Sequence, residues 1–234
     1  ALNAVAGGGS FLTLPALVFT GVPPVAANAT GTVALLPGYM AGAWGFREDM
    51  VPPPGLSMRA VVALSLVGGS AGAALLLLTP DATFKKVVPW LLLAATAMFA
   101  FGPKLRQWAG ASHHGAPSPL RAALGMLAVA AYGGYFNGGL GILLLALFGL
   151  LGQTQLNAMN GMKNLVSALL TAIAVAIYAA GGIVQWQQAL IMMIAATLGG
   201  YWGARVARRL PAPALRWGIV ATGLVMAGLF FWKQ

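Results

Sequence analysis

The chain has 234 residues, 59% of them hydrophobic and only 7% charged, with a mean hydropathy of +0.84 and a formal net charge of +10. A soluble domain carries about 25% charged residues, so the composition predicts an all-α polytopic membrane protein; its continuous, non-alternating apolar runs exclude an outer-membrane barrel. The basic residues fall in short loops between apolar spans, which excludes nucleic acid as a partner, and the lack of cysteine excludes disulfides, thiol chemistry and thiolate-bound metal.

The chain opens on Ala1 inside an apolar pattern, so more of a first helix is expected before it. That pattern is interrupted at Gly7-Gly8-Gly9-Ser10. Three helical spans follow, at about Pro24–Phe46, Leu56–Leu78 and Thr83–Phe101. A stretch rich in Gly, Ser, Pro and His comes next, and it holds His113 and His114. Two adjacent loop histidines without further ligands are read as solvated, and no metal or cofactor is expected. Pro119 to Gly152 is apolar but about 34 residues long, roughly 50 Å as one helix, too long for a single crossing. It is broken at Gly133 to Gly139. The remaining spans are about Thr154–Ala180, Gln185–Ala207 and Ala212–Trp232. Trp44, Trp90, Trp108, Trp186, Trp217 and Trp232 lie near span ends, as in an aromatic interface belt.

The two halves resemble each other at an offset of 131 residues. Gly7-Gly8 matches Gly138-Gly139, Gly21 matches Gly152, Gly68-Gly69 matches Gly199-Gly200, Gly72 matches Gly203 and Pro80 matches Pro211. The organisation read from this is a first membrane repeat over 1–101, a central cytoplasmic loop over 102–119 and a second repeat over 120–234. Charge decides the relation between the halves. If each broken segment crosses once, the basic residues other than Lys163 divide evenly between the two sides. If each dips in and returns, Arg47, Arg59, Lys104, Arg106, Arg121, Arg205, Arg208, Arg209 and Arg216 share one side, opposite Lys85, Lys86 and Lys233. The second arrangement gives a clear bias. It predicts two inverted repeats, each with a Gly-broken re-entrant helical hairpin followed by three transmembrane helices, and a multi-pass inner (cytoplasmic) membrane protein.

Lys163 lies about nine residues into the span that starts near Thr154, roughly 14 Å deep. A lysine there is expensive and marks a substrate or ion pathway. Asn157, Asn160 and Asn164 follow one another at i, i+3 and i+7 on one face, which Lys163 flanks. In the first half Asn28 and Thr32 share a face, with Thr30 adjacent. The returning arms begin near Ser10 and Gly139, where free N–H groups and positive helix ends attract anions. The candidate substrate-binding set is Lys163, Asn160, Asn164, Asn157, Asn28, Thr30, Asn137, Gly8, Gly9, Ser10, Gly138 and Gly139. Its members are amide and hydroxyl donors, a cation and exposed backbone, which suit a small oxyanion. The acidic residues Glu48, Asp49 and Asp81 all sit at helix ends or loops, so no mid-span carboxylate relay or catalytic cluster is expected, and no enzyme.

Asn3 to Leu17, with its glycine triplet and Pro15, Gly21 to Thr32, Asn157 to Asn164, Gly181 to Trp186 and Leu198 to Pro211 together resemble the sulfite exporter TauE/SafE family. The resemblance spans nearly the whole chain and implies a transporter of sulfite, sulfonates or other small organic anions in the cytoplasmic membrane. The break at Tyr132 to Gly141 departs from the first in lacking an uninterrupted glycine triplet and a following proline; Tyr135 and Asn137 occupy that region. The function expected is export of a small anion, sulfite or an organosulfonate, bound at the midplane between the repeats. A carboxylate substrate, or a non-transporting partner subunit, is the alternative. The lipid bilayer and the small anionic substrate are the expected partners, and a homo-oligomer stays open.

Overall fold

The structure, a computed structural model, describes residues 10–111, 118–207 and 212–232. Every regular element among these residues is helical: α1 (Ser10–Phe19), α2 (Pro24–Gly45), a 3-10 turn (Arg47–Asp49), α3 (Met58–Leu78), α4 (Asp81–Ala111), α5 (Pro119–Tyr135), α6 (Leu140–Leu150), α7 (Leu156–Ala180), α8 (Trp186–Ala207) and α9 (Ala212–Trp232). Of these, α3 and α7 are each long and apolar enough to cross a membrane.

Local signals set the helix starts. Pro24 occupies the first turn of α2, where its missing N–H costs nothing. Ser57 caps α3 by accepting the Ala60 N–H at 3.2 Å. One boundary differs from the expectation. α4 begins at Asp81 and runs to Ala111, past Phe101 and into the stretch read as loop. Lys104, Leu105, Arg106 and Gln107 are strong helix formers, so the helix continues after its hydrophobicity stops.

α1 and α6 end in the same motif. Gly21 and Gly152 have φ of +92° and +90°. In the first, Val22 N–H reaches Leu17 O and Gly21 N–H reaches Val18 O; in the second, Gln153 N–H reaches Phe148 O and Gly152 N–H reaches Gly149 O. These are paired Schellman bonds around a left-handed glycine.

α5 and α6 fold back on each other as an antiparallel hairpin. A Cβ built on Gly125 would lie 2.9 Å from Leu147 Cδ1, and one on Gly133 would lie 2.8 Å from Leu140 Cδ1. In one continuous helix residues 125 and 147 would stand roughly 33 Å apart. Phe136 to Gly139 make the bend.

Two buried clusters sit toward opposite ends of the bundle. One gathers Leu14, Leu17, Val25, Phe84, Tyr178 and Ala189. The other gathers Val61, Met126, Leu144, Phe148, Met159 and Val166. Arg47, Arg59 and Arg121 lie at the second end, beside the starts of α3, α5 and α7; Lys85 and Lys86 lie at the first. Glycines let helix backbones touch. A Cβ on Gly68 would fall 2.6 Å from Ala130 Cβ, Gly72 abuts the Ala131 carbonyl, and Gly134 abuts the Gly69 carbonyl. Outward-facing residues are heavily apolar, including Leu78, Trp90, Ile191, Ile194, Val225 and Trp232. A surface of that kind suits lipid rather than water.

Candidate functional site

The hairpin bend is a helix end inside the protein, and its carbonyls need partners from elsewhere. Asn28 Nδ2 on α2 donates to Tyr135 O at 2.9 Å. The Tyr178 hydroxyl on α7 donates to Gly134 O. Phe136 N–H returns to Tyr132 O at 2.7 Å, and the Tyr132 hydroxyl donates to Gly138 O at 2.6 Å. Asn137 completes the bend. Its Oδ1 accepts the Tyr39 hydroxyl at 2.9 Å, and its Nδ2 donates to Thr171 Oγ1 at 3.2 Å. One buried amide therefore ties α2 to α7 through the hairpin tip. Gly139 starts α6 with a φ of +74°, and a Cβ there would lie 3.1 Å from Met98 Cε and 3.2 Å from Ala95 Cβ. Both the conformation and the close approach to α4 call for glycine.

α7 carries a polar face beside this bend. At 3.6 residues per turn, Asn160, Lys163, Asn164, Ser167 and Thr171 spread over about one third of the helix circumference. The adjoining face bears Met159, Met162, Val166 and Leu170, all within the hydrophobic cluster with α3, α5 and α6. The polar face turns toward α2. The Asn164 side chain lies flat against Gly42, where a Cβ would be 2.8 Å from Asn164 Cγ. Ala168 packs with Leu35 and Tyr39. Higher numbers on α2 thus meet lower numbers on α7, and the two helices run antiparallel.

Two groups on this face lack partners. Lys163 is half-buried, about 10 Å along the helix from Leu156. Among the described residues it forms no hydrogen bond and no ion pair. Ser167 is 1% exposed, and its Oγ has no hydrogen-bond partner. Other helical hydroxyls behave differently: Thr32, Ser65 and Thr96 each donate to the carbonyl four residues earlier.

The residues expected to bind substrate thus divide by position. Asn160, Lys163 and Asn164 stand together on the α7 face. Asn157 is exposed in the first turn of that helix. Asn28 and Asn137 are tied into the hairpin bend. Thr30 Oγ1 accepts the Gln185 N–H at 3.0 Å, just before α8. Gly138 is closed off by the Phe136 ring, 2.6 Å from where its Cβ would be. Ser10 opens α1, while Gly8 and Gly9, like His113 and His114, lie outside the described residues. Among the described residues no three His, Cys, Asp or Glu side chains come together as a metal site. Tyr39, Thr171, Tyr178 and Ser167 were not among the expected residues. The signal for three of them was spacing: Tyr39 continues the α2 face of Asn28 and Thr32, and Ser167 and Thr171 continue the α7 face of Asn160 and Asn164.

The profile of the family described as sulfite exporter TauE/SafE matches residues 1–230. A "probable membrane transporter protein" of Haemophilus influenzae is 28% identical over all of this chain and 90% of its own length. "Probable membrane transporter protein ORF9" of a Sinorhizobium species is 26% identical over 97% of this chain and 85% of its own. "Probable membrane transporter protein YfcA" of Escherichia coli K12 is 25% identical over 97% of this chain and 83% of its own. No solved structure matches the chain.

Proposed function

The chain belongs to the sulfite exporter TauE/SafE family, membrane transporters rather than enzymes, and from that we propose that it exports a small anion, sulfite or an organosulfonate, across the inner (cytoplasmic) membrane. The observation that carries this reading is Lys163, half-buried and without an internal counter-charge, between the amides of Asn160 and Asn164. A buried charge needs a partner, and a bound anion supplies one. Among the described residues no acidic side chain forms an ion pair with Lys163. Glu48 pairs with Arg47 at 2.9 Å on the exposed turn after α2, and Asp81 Oδ1 accepts the Val25 N–H at 2.9 Å at the start of that helix.

The binding face lies between α2 and α7, which are corresponding helices of the two halves. The reading of two inverted repeats, 1–101 and 120–234 on either side of the segment 102–119, is supported by how the helices pair. Exchanging α1 to α4 for α6 to α9 turns the packed pair α2 with α8 into α7 with α3. It turns α1 with α2 into α6 with α7, and α4 with α6 into α9 with α1. The pairs α2 with α7 and α4 with α9 map onto themselves. The antiparallel course of α2 and α7 fits an inverted rather than a parallel relation, and the shared Schellman ends of α1 and α6 fit the same register.

In this reading one repeat rocks against the other around the anion, and the Asn137 bridge between α2 and α7 is among the contacts that must change. An inside-negative potential drives an uncoupled anion outward by about 2.3 kcal/mol per charge per 100 mV.

Counterflow in proteoliposomes tests this, with labelled sulfite, methanesulfonate or a carboxylate outside, each against the same unlabelled anion inside, and with the other anions as competitors. Saturable sulfite exchange competed by the sulfonate is the expected result. Exchange confined to the carboxylate would reassign the substrate, and no exchange of any anion by folded protein would remove the transport role proposed here.

A further inference from the structure

We propose that Ser167 is a substrate-binding residue, donating its hydroxyl to an oxygen of the anion held by Lys163. This rests on the anion-transport reading above and adds a residue to it. Ser167 is 1% exposed, and its Oγ has no partner. It lies one helical turn beyond Lys163, on the arc of α7 that also presents Asn160, Asn164 and Thr171.

A buried hydroxyl without a partner is costly, and native helices ordinarily avoid it by bonding to the carbonyl four residues earlier. Thr32, Ser65 and Thr96 do so in this protein, and Thr171 engages Asn137. Ser167 does neither. It is a donor held ready on the face of the one unpaired lysine of α7. A lysine alone offers a charge and rotatable donors on a flexible stem, so it attracts anions with little geometric preference. A fixed hydroxyl one turn away adds a second point of attachment. Together with the Asn160 and Asn164 amides it favours a ligand with several acceptor oxygens around one centre, the geometry of sulfite and of a sulfonate head group.

Two readouts of opposite sign distinguish this from a packing role. Ser167→Ala removes an unsatisfied polar atom, so the anion-free protein is expected to melt at the same or a higher temperature. The same change removes a hydrogen bond to a charged ligand, so sulfite affinity should fall about 10- to 100-fold. The experiment is sulfite titration of detergent-purified wild type, S167A and K163A, followed by thermal unfolding. A rightward shift of the sulfite curve in S167A, with an unlowered ligand-free melting temperature, is expected. An unchanged sulfite curve in S167A, beside wild type that binds, would overturn the role of Ser167 and leave the transport reading standing. A lowered ligand-free melting temperature with unchanged affinity would make the residue structural. Wild type without any response to sulfite would overturn both.

Discussion

At the scale of single residues, the site depends on which polar groups are already satisfied. Asn28, Thr30 and Asn137 spend their hydrogen-bonding capacity on the hairpin and on the start of α8, whereas Lys163 does not. Tyr178→Phe should therefore act on stability rather than on anion affinity. It leaves the buried Gly134 carbonyl without its side-chain donor, at a cost of about 1–3 kcal/mol, measurable as a lower unfolding midpoint with an unchanged sulfite affinity. Gly42→Ala should act on the site instead. The added methyl meets Asn164 at 2.8 Å and pushes its amide off the α2 surface, so anion binding is expected to weaken. Gly45→Ala, three residues on, meets nothing within 4 Å and serves as the control with wild-type binding.

At the scale of elements, the hairpin α5–α6 is the least ordinary part of the molecule, and it was legible in part. Its length and its glycines marked a break, and the contact of Gly125 with Leu147 shows α5 and α6 folded back on each other there. The tyrosines that hold the bend were not legible. The hydrogen bonds of Tyr39, Tyr132 and Tyr178 do not follow from spacing, because a hydroxyl's partner depends on which helix end abuts it, and that is set by tertiary packing. The same holds for Ser167: its position on the α7 face follows from spacing, but its lack of a partner does not. Helix contact through glycine carries its own consequence. Gly72→Ala would drive a methyl into the Ala131 carbonyl of α5, where backbone rather than a side chain must yield. A loss of about 1–3 kcal/mol in stability is expected, read by thermal or denaturant unfolding, and larger than for Gly45→Ala.

At the scale of the whole molecule, α2 packs on α7, and Asn137 at the hairpin tip is hydrogen-bonded to both. The orientation in the membrane follows from charge. Arg47, Arg59 and Arg121 share an end with the starts of α3, α5 and α7, and that end is expected to face the cytoplasm. The chain has no cysteine, so single introduced thiols report sidedness directly. A cysteine at exposed Glu48 should react with an impermeant maleimide only from the cytoplasm, and one at exposed Ala82 only from outside. The reverse pattern would invert the topology.

If an anion is the counter-charge of Lys163, labelled-sulfite counterflow must differ between wild type and Lys163→Ala in matched proteoliposomes. Saturable sulfite exchange in the wild type and background exchange in the variant, with the variant shown to be folded by its unfolding midpoint, is the result predicted. Sulfite exchange in Lys163→Ala equal to that of wild type would contradict it.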